Sequence, residues 1–139
     1  MKFVVDTGRI VAALIKDSAC RSILLSEKFE FLTVDFTKSE IDEHKPEILM
    51  KAKISEKQFG LIFSQLFSKI FIVNDITIQE KMDVAKEIMD PIDPGDTPFV
   101  ALALAVESAG IWSDDRHFER QNQIKIWRTR VLLDALDKR

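Results

Sequence analysis

Hydrophobic positions change their period several times along the chain, and each change marks an element. The opening "KFVV" is a continuous apolar run that stops abruptly at Asp6-Thr7-Gly8. A run without polar alternation, rich in β-branched residues, predicts a strand buried on both faces. From about Gly8 to Ser26, Ile10, Val11, Leu14, Ile15, Ile23 and Leu24 recur at helical spacing and predict one helix. "FEFLTV" is a second strand. Thr37-Lys38-Ser39-Glu40 has the S/T-x-x-E form of a capping box and announces a helix that should end or bend near Pro46. Ser55 to about Lys69 forms another, with Phe59, Ile62, Phe63, Leu66 and Phe67 on one face. "IFIV" is a third strand and "ITIQEKMDVAKEIMD" a helix; "PIDPG" then breaks the chain, and "DTPFVALALAVESAG" restarts a helix that stops at Gly110. "IW" and "IKIW" make the fourth and fifth strands, before a final helix over Val131–Leu136.

Short apolar strands alternating with helices predict an α/β fold, a three-layer α/β/α sandwich around a central, mostly parallel, five-stranded sheet. A length of 139 residues fits one domain, 1–139. The formal charge of −3 excludes a global positive field of the kind that draws nucleic acid, so any polyanion site must be local. One cysteine, Cys20, can form no internal disulfide, and the apolar part of the N-terminus is too short for a secretion signal, which places the protein in the cytoplasm. The longest apolar run, Phe99 to Val106, falls well below the ~20 residues that span a bilayer, so no membrane segment is expected.

Open parallel sheets bind ligands in the crevice outside the carboxyl ends of their strands. Asp6 follows the first strand, Asp114 and Asp115 follow the fourth, Asp93 and Asp96 flank the turn between them, and Glu40 opens the helix after the second strand. Four separated pieces of chain thus send carboxylates toward one sheet edge, where their repulsion is costly unless a cation sits among them. Oxygen ligands with no cysteine and no suitable histidine cluster favour Mg²⁺ or Mn²⁺ over zinc. Each acid also has a local reading: Asp6 and Asp96 as helix caps, Glu40 as the partner of Thr37 in the capping box, Asp114 and Asp115 as a solvated turn. Trp112 and Trp127 end strand-like runs and are expected in the core, and His44 in an ordinary polar contact.

"VVDTGRIVAALI", "SEIDEH", "DPGDTPFVALALA" and "WSDDRHF" together resemble the PIN domain, a family of Mg²⁺- or Mn²⁺-dependent ribonucleases. The resemblance implies a catalytic and metal-binding set of Asp6, Glu40, Asp96 and Asp115, supported by Thr7, Ser113, Asp93 and Asp114, with Asp114 the variable position of the Ser/Thr-x-Asp motif. It implies hydrolysis of phosphodiester bonds in single-stranded RNA, with Arg9, Lys16, Lys38 and Arg116 as the candidates to guide the strand. It makes a homodimer the expected state and leaves open whether the chain is the toxin half of a toxin-antitoxin pair with an antitoxin protein as partner. PIN domains commonly carry Asn two residues after the first aspartate, where this chain has Gly8, so a catalytically weak module that binds RNA or a protein partner is the alternative. A phosphoacceptor receiver domain fits less well: it would need a paired acid at Asp6 and a lysine where "IWRTR" supplies arginine.

Overall fold

The run after Lys2 forms strand β1 (Lys2–Val5), and in the computed structural model, which describes residues 1–16 and 18–138, this strand is paired on both edges. β2 (Glu30–Val34) lies along one edge and β4 (Ile111–Trp112) along the other; β3 (Ile70–Val73) continues past β2, and β5 (Ile126–Trp127) past β4. The order is β3-β2-β1-β4-β5 and each pairing is parallel, so the sheet is parallel throughout and not merely for the most part.

Parallel neighbours require crossovers, and helices supply them. These are α1 (Thr7–Ile15), α2 (Ala19–Leu25), α3 (Phe36–Ala52), α4 (Glu56–Phe67), α5 (Asp75–Met89), α6 (Thr97–Ala105) and α7 (Thr129–Leu136). The two-residue period of the strands divides the core. Phe3, Val5, Phe31 and Trp112 meet Ile10, Leu14, Ile23, Leu24, Ile41, Leu66 and Leu132 from α1 to α4 and α7. Val4, Leu32, Val34 and Ile111 meet Ile78, Met89, Phe99, Val100 and Leu102 from α5 and α6. Both faces are covered at β1, β2 and β4, which is why those strands read as largely unbroken apolar runs, while Phe71 of β3 stays exposed. Trp112 is fully buried, and Trp127 packs against the first of these cores. Among the described residues no helix is long and apolar enough to cross a membrane.

Three boundaries depart from the sequence reading. The single helix expected from Gly8 to Ser26 is two: α1 ends at Ile15, Lys16 is extended, and Arg21 Nε of α2 donates to the Ala13 carbonyl at 2.8 Å, taking up one of the carbonyls that a helix end leaves free. Of the end or bend expected near Pro46, the end does not occur: α3 runs through it to Ala52. A proline leaves the carbonyl four residues back without its helical partner; here that residue, Asp42, is exposed, so water can take the bond while Ile41 and Ile48 anchor the helix on either side. α6 stops at Ala105, short of Gly110, because Ala109 and Gly110 pair with β1: the Ala109 amide donates to Lys2 O at 2.7 Å and the Val4 amide to Gly110 O at 2.9 Å.

Gly110 shows how tight this junction is. Its φ is +132°, and a Cβ there would lie 2.1 Å from the carbonyl oxygen of Lys125, next to β5. Gly110→Ala should therefore destabilise the fold by at least ~2 kcal/mol. Gly60→Ala, on α4 with nothing within 4 Å of its Cβ, should be neutral or stabilising. Thermal melts followed by circular dichroism compare the two.

Candidate functional site

The strand order reverses at β1, with β2 on one side and β4 on the other, so the carboxyl ends of β1 and β4 open a crevice between them. Asp6 is the first residue past β1; Ser113, Asp114 and Asp115 follow β4. Asp6 is 7% exposed. Its Oδ1 accepts the Arg9 amide at 3.0 Å and so caps α1, and its Oδ2 accepts the Ser113 hydroxyl. Ser113 Oγ in turn accepts the Asp115 amide at 3.0 Å. The cap expected of Asp6 is thus real, and the other face of the same carboxylate is tied through Ser113 to the turn that carries Asp115.

A second turn delivers acids from across the crevice. Asp93 Oδ1 accepts the Gly95 amide at 3.0 Å, closing the tight turn Pro94–Asp96 that leads into α6. The Thr97 hydroxyl donates to Asp90 Oδ1 at 2.6 Å and pins the start of that helix. Asp96 makes no capping bond, and its Oδ2 is buried without a hydrogen-bond partner. On the β4 side, Asp115 Oδ1 accepts the His117 amide at 2.9 Å. His117 Nδ1 lies 3.0 Å from Asp93 Oδ2, 3.5 Å from Asp115 Oδ1 and 4.0 Å from Asp96 Oδ2. One ligand atom from each of Asp93, Asp96, Asp115 and His117 falls within 4.8 Å of all the others. The structure therefore joins Asp96 and Asp115 to Asp93 and to His117, which the sequence reading passed over when it saw no histidine cluster. Its signal was the spacing Asp115-x-His117.

Glu40 and Asp6 stand outside that group but line the same cleft, of about 600 Å³. The capping box does not form: α3 starts at Phe36, one residue before Thr37, and Thr37 is buried. Glu40 Oε1 instead accepts the Thr7 hydroxyl at 2.7 Å. Thr7 Oγ lies 3.0 Å from Thr37 Oγ, Thr37 Oγ 3.2 Å from Thr33 Oγ, and the Thr33 hydroxyl donates to Val5 O at 2.8 Å, so a ladder of hydroxyls runs from the sheet to Glu40.

Asp114 turns away from the acids. Its Oδ2 accepts Arg9 Nη1 at 2.8 Å and the Thr129 hydroxyl at 2.7 Å, and its Oδ1 accepts the Thr129 amide at 2.8 Å. This link joins α1, β4 and α7, and it engages Arg9, which also lines the cleft, within the fold. Lys16, Lys38 and Arg116 are exposed. His44 lies 3.8 Å from Glu47, the ordinary contact expected of it, and Lys51, also on the cleft wall, pairs with Glu47 at 2.9 Å. Gly8 adjoins the site: a Cβ there would lie 3.6 Å from Asp6 Oδ1, in ordinary contact.

The electrostatics follow from this crowding. Burial pushes Asp6 up to about 6 against the donors Ser113 and Arg9. Burial, then the charges of Asp93, Asp115 and Asp6, push Asp96 up to about 7, with His117 opposing. Partial burial would raise Asp114 as well, but the Thr129 donors and the Arg9 and Arg128 charges outweigh it and hold that carboxyl below its usual range. A divalent cation fits here: three carboxylates and one imidazole sit at mutual distances close to those of a single coordination sphere, and the buried Asp96 oxygen lacks any other partner.

A pH dependence follows. Carboxyls whose folded pKa is raised contribute stability that is complete below their unfolded value near 4 and lost as pH rises through about 6 and about 7. Asp114 acts in the opposite sense, and only at the acid end. Metal-free protein should lose melting temperature from about pH 4 to about pH 7. Asp96→Asn should flatten that decline, as should millimolar Mn²⁺, and melting curves at fixed ionic strength measure both.

The sequence profile of the PIN domain matches residues 4–137, from within β1 to just past α7. No curated protein sequence matches the chain. The profile match takes in the carboxyl ends of all five strands and each turn that carries an acid into the cleft. The chain belongs to the PIN domain family, whose members are typically metal-dependent nucleases.

Proposed function

We propose that the protein is a divalent-metal-dependent endoribonuclease that hydrolyses phosphodiester bonds of single-stranded RNA. The observation that carries this reading is the group Asp93, Asp96, Asp115 and His117 at the reversal of a PIN-family sheet, with one buried oxygen of Asp96 left without a partner. A cleft of about 600 Å³ has the size of a small-molecule site.

Those four residues would hold the cation. When bound, a divalent cation lowers the pKa of a water and neutralises charge on a phosphate. Glu40, held on the α3 wall by the Thr7 hydroxyl, would accept a proton from a water in the cleft. Asp6 holds the turn of Ser113 and Asp115 in place and adds negative charge behind the site, and the roles of metal ligand that the family resemblance gives Asp6 and Glu40 belong to the same proposal. Acidic walls repel an incoming phosphate, and Lys16, Lys38 and Arg116 are the exposed cations to steer it.

The toxin reading, with an antitoxin protein as partner and a homodimer as the working state, extends the proposal. Growth arrest on expression, relieved by a small protein encoded beside it, is the expected outcome. The specific observation for a weakly active module is Gly8, which presents no side-chain amide beside Asp6. If that reading holds, RNA binds without being cut.

Asp115→Asn or Asp96→Asn should lower Mn²⁺-dependent cleavage of a fluorogenic single-stranded RNA by at least about tenfold, or ~1.4 kcal/mol of transition-state stabilisation. Asp114→Ala should behave differently: the loss of its bonds to Arg9 and Thr129 costs about 1–2 kcal/mol of folding stability, while cleavage by the folded protein at low temperature changes less than threefold or so. Cleavage that survives EDTA, or that is indifferent to Asp115→Asn, would sink the proposal.

A further inference from the structure

Three of the four ligand atoms in the cluster are the carboxylate oxygens that a hard cation prefers, and the fourth is a nitrogen. We infer that His117 is itself a ligand, and that it tunes the site toward a divalent transition cation able to accept an imidazole nitrogen, with Mn²⁺ preferred to Mg²⁺. The inference rests on the metal-site reading above and deepens it.

Several features position the histidine at the cluster. The His117 amide donates to Asp115 Oδ1, so the backbone of the histidine is bonded to its own neighbour in the cluster. The next residue, Phe118, is fully buried in the core between the sheet and α6, and its amide donates to the Asp115 carbonyl at 3.3 Å. These bonds fix the backbone at His117, while its side chain is 44% exposed. Nδ1, and not only the ring edge, faces the acids, at 3.0 Å from Asp93 Oδ2 and 3.5 Å from Asp115 Oδ1. With its proton on Nε2, that nitrogen offers a lone pair to the space the three carboxylates enclose.

The consequence for the ion follows from ligand chemistry. Mg²⁺ keeps to oxygen in a strict octahedral shell and gives up its waters reluctantly, whereas first-row transition ions add affinity for an imidazole nitrogen, least in Mn²⁺ and more in the later ions, so that even Mn²⁺ gains over Mg²⁺ from a nitrogen ligand. A site with an all-oxygen set would discriminate weakly between Mg²⁺ and Mn²⁺; one with a fixed nitrogen discriminates in favour of Mn²⁺. The competing account is that His117 serves only as an ion-pair partner of Asp93, a contact that a bound cation would replace.

Pulsed electron paramagnetic resonance of Mn²⁺ bound to the intact protein separates the two, because a coordinated imidazole imprints a ¹⁴N modulation on the manganese signal. The chain has two histidines, so the source can be assigned. The expected result is a nitrogen modulation in the parent and in His44→Ala that disappears in His117→Ala and His117→Asp. Isothermal titration with each metal alone should give a preference for Mn²⁺ over Mg²⁺ of at least about tenfold in the parent, narrowed severalfold in His117→Asp, whose carboxylate keeps a ligand at the position. Mn²⁺ that binds without nitrogen modulation, or a modulation lost in His44→Ala instead, overturns the role of His117 and leaves the metal site standing. No binding of Mn²⁺ at millimolar concentration overturns the metal site as well.

Discussion

Repulsion among carboxylates gathered at the ends of β1 and β4 is the constraint to which the surrounding structure responds. Two unit charges about 4 Å apart cost ~4 kcal/mol at an effective dielectric of 20, comparable with a large part of the stability of a small domain. The fold offsets this with donors placed one by one: Ser113 and the Arg9 amide for Asp6, the Gly95 amide for Asp93, the His117 amide for Asp115. Asp96 Oδ2 receives none. The Arg9 guanidinium is engaged by Asp114. Within the cluster His117 is the one side chain that opposes the charge on Asp96.

Such crowding is possible because the rest of the molecule holds the turns rigidly. Both faces of the sheet are packed, so β1 and β4 cannot part to relieve the strain among the acids. The Arg9, Asp114 and Thr129 link draws α1, β4 and α7 together just behind the cluster, and the Trp112 indole adds to it by donating to Thr129 Oγ at 3.0 Å. Stability is stored next to the site, where the site itself costs stability.

The strands were legible in the sequence because burial on both faces erases polar alternation, a signal that needs no knowledge of partners. The helix boundaries were less so. Local periodicity carries on through Val106 to Gly110, but the backbone there pairs with β1, and a long-range hydrogen bond outweighs helical preference. In the site, the rule that ligands gather at the carboxyl ends of parallel strands drew attention to Asp6, Asp96 and Asp115 before any contact was known. What stayed hidden joins residues far apart in the chain: His117 to Asp93 across 24 positions, and Arg9 to Asp114 across 105. Glu40 was visible, yet its nearest sequence partner was the wrong one, because Thr37 turns inward to meet Thr7 and Thr33.

The ladder of threonines ending at Glu40 can be counted in protons. Each hydroxyl has one to give. Thr33 gives its proton to Val5 O, Thr7 gives its own to Glu40, and Thr37, buried away from water, has a single proton for two acceptors, Thr7 and Thr33. Three protons therefore serve four contacts, and one contact is always without. Thr37 can give its proton to either neighbour without any heavy atom moving.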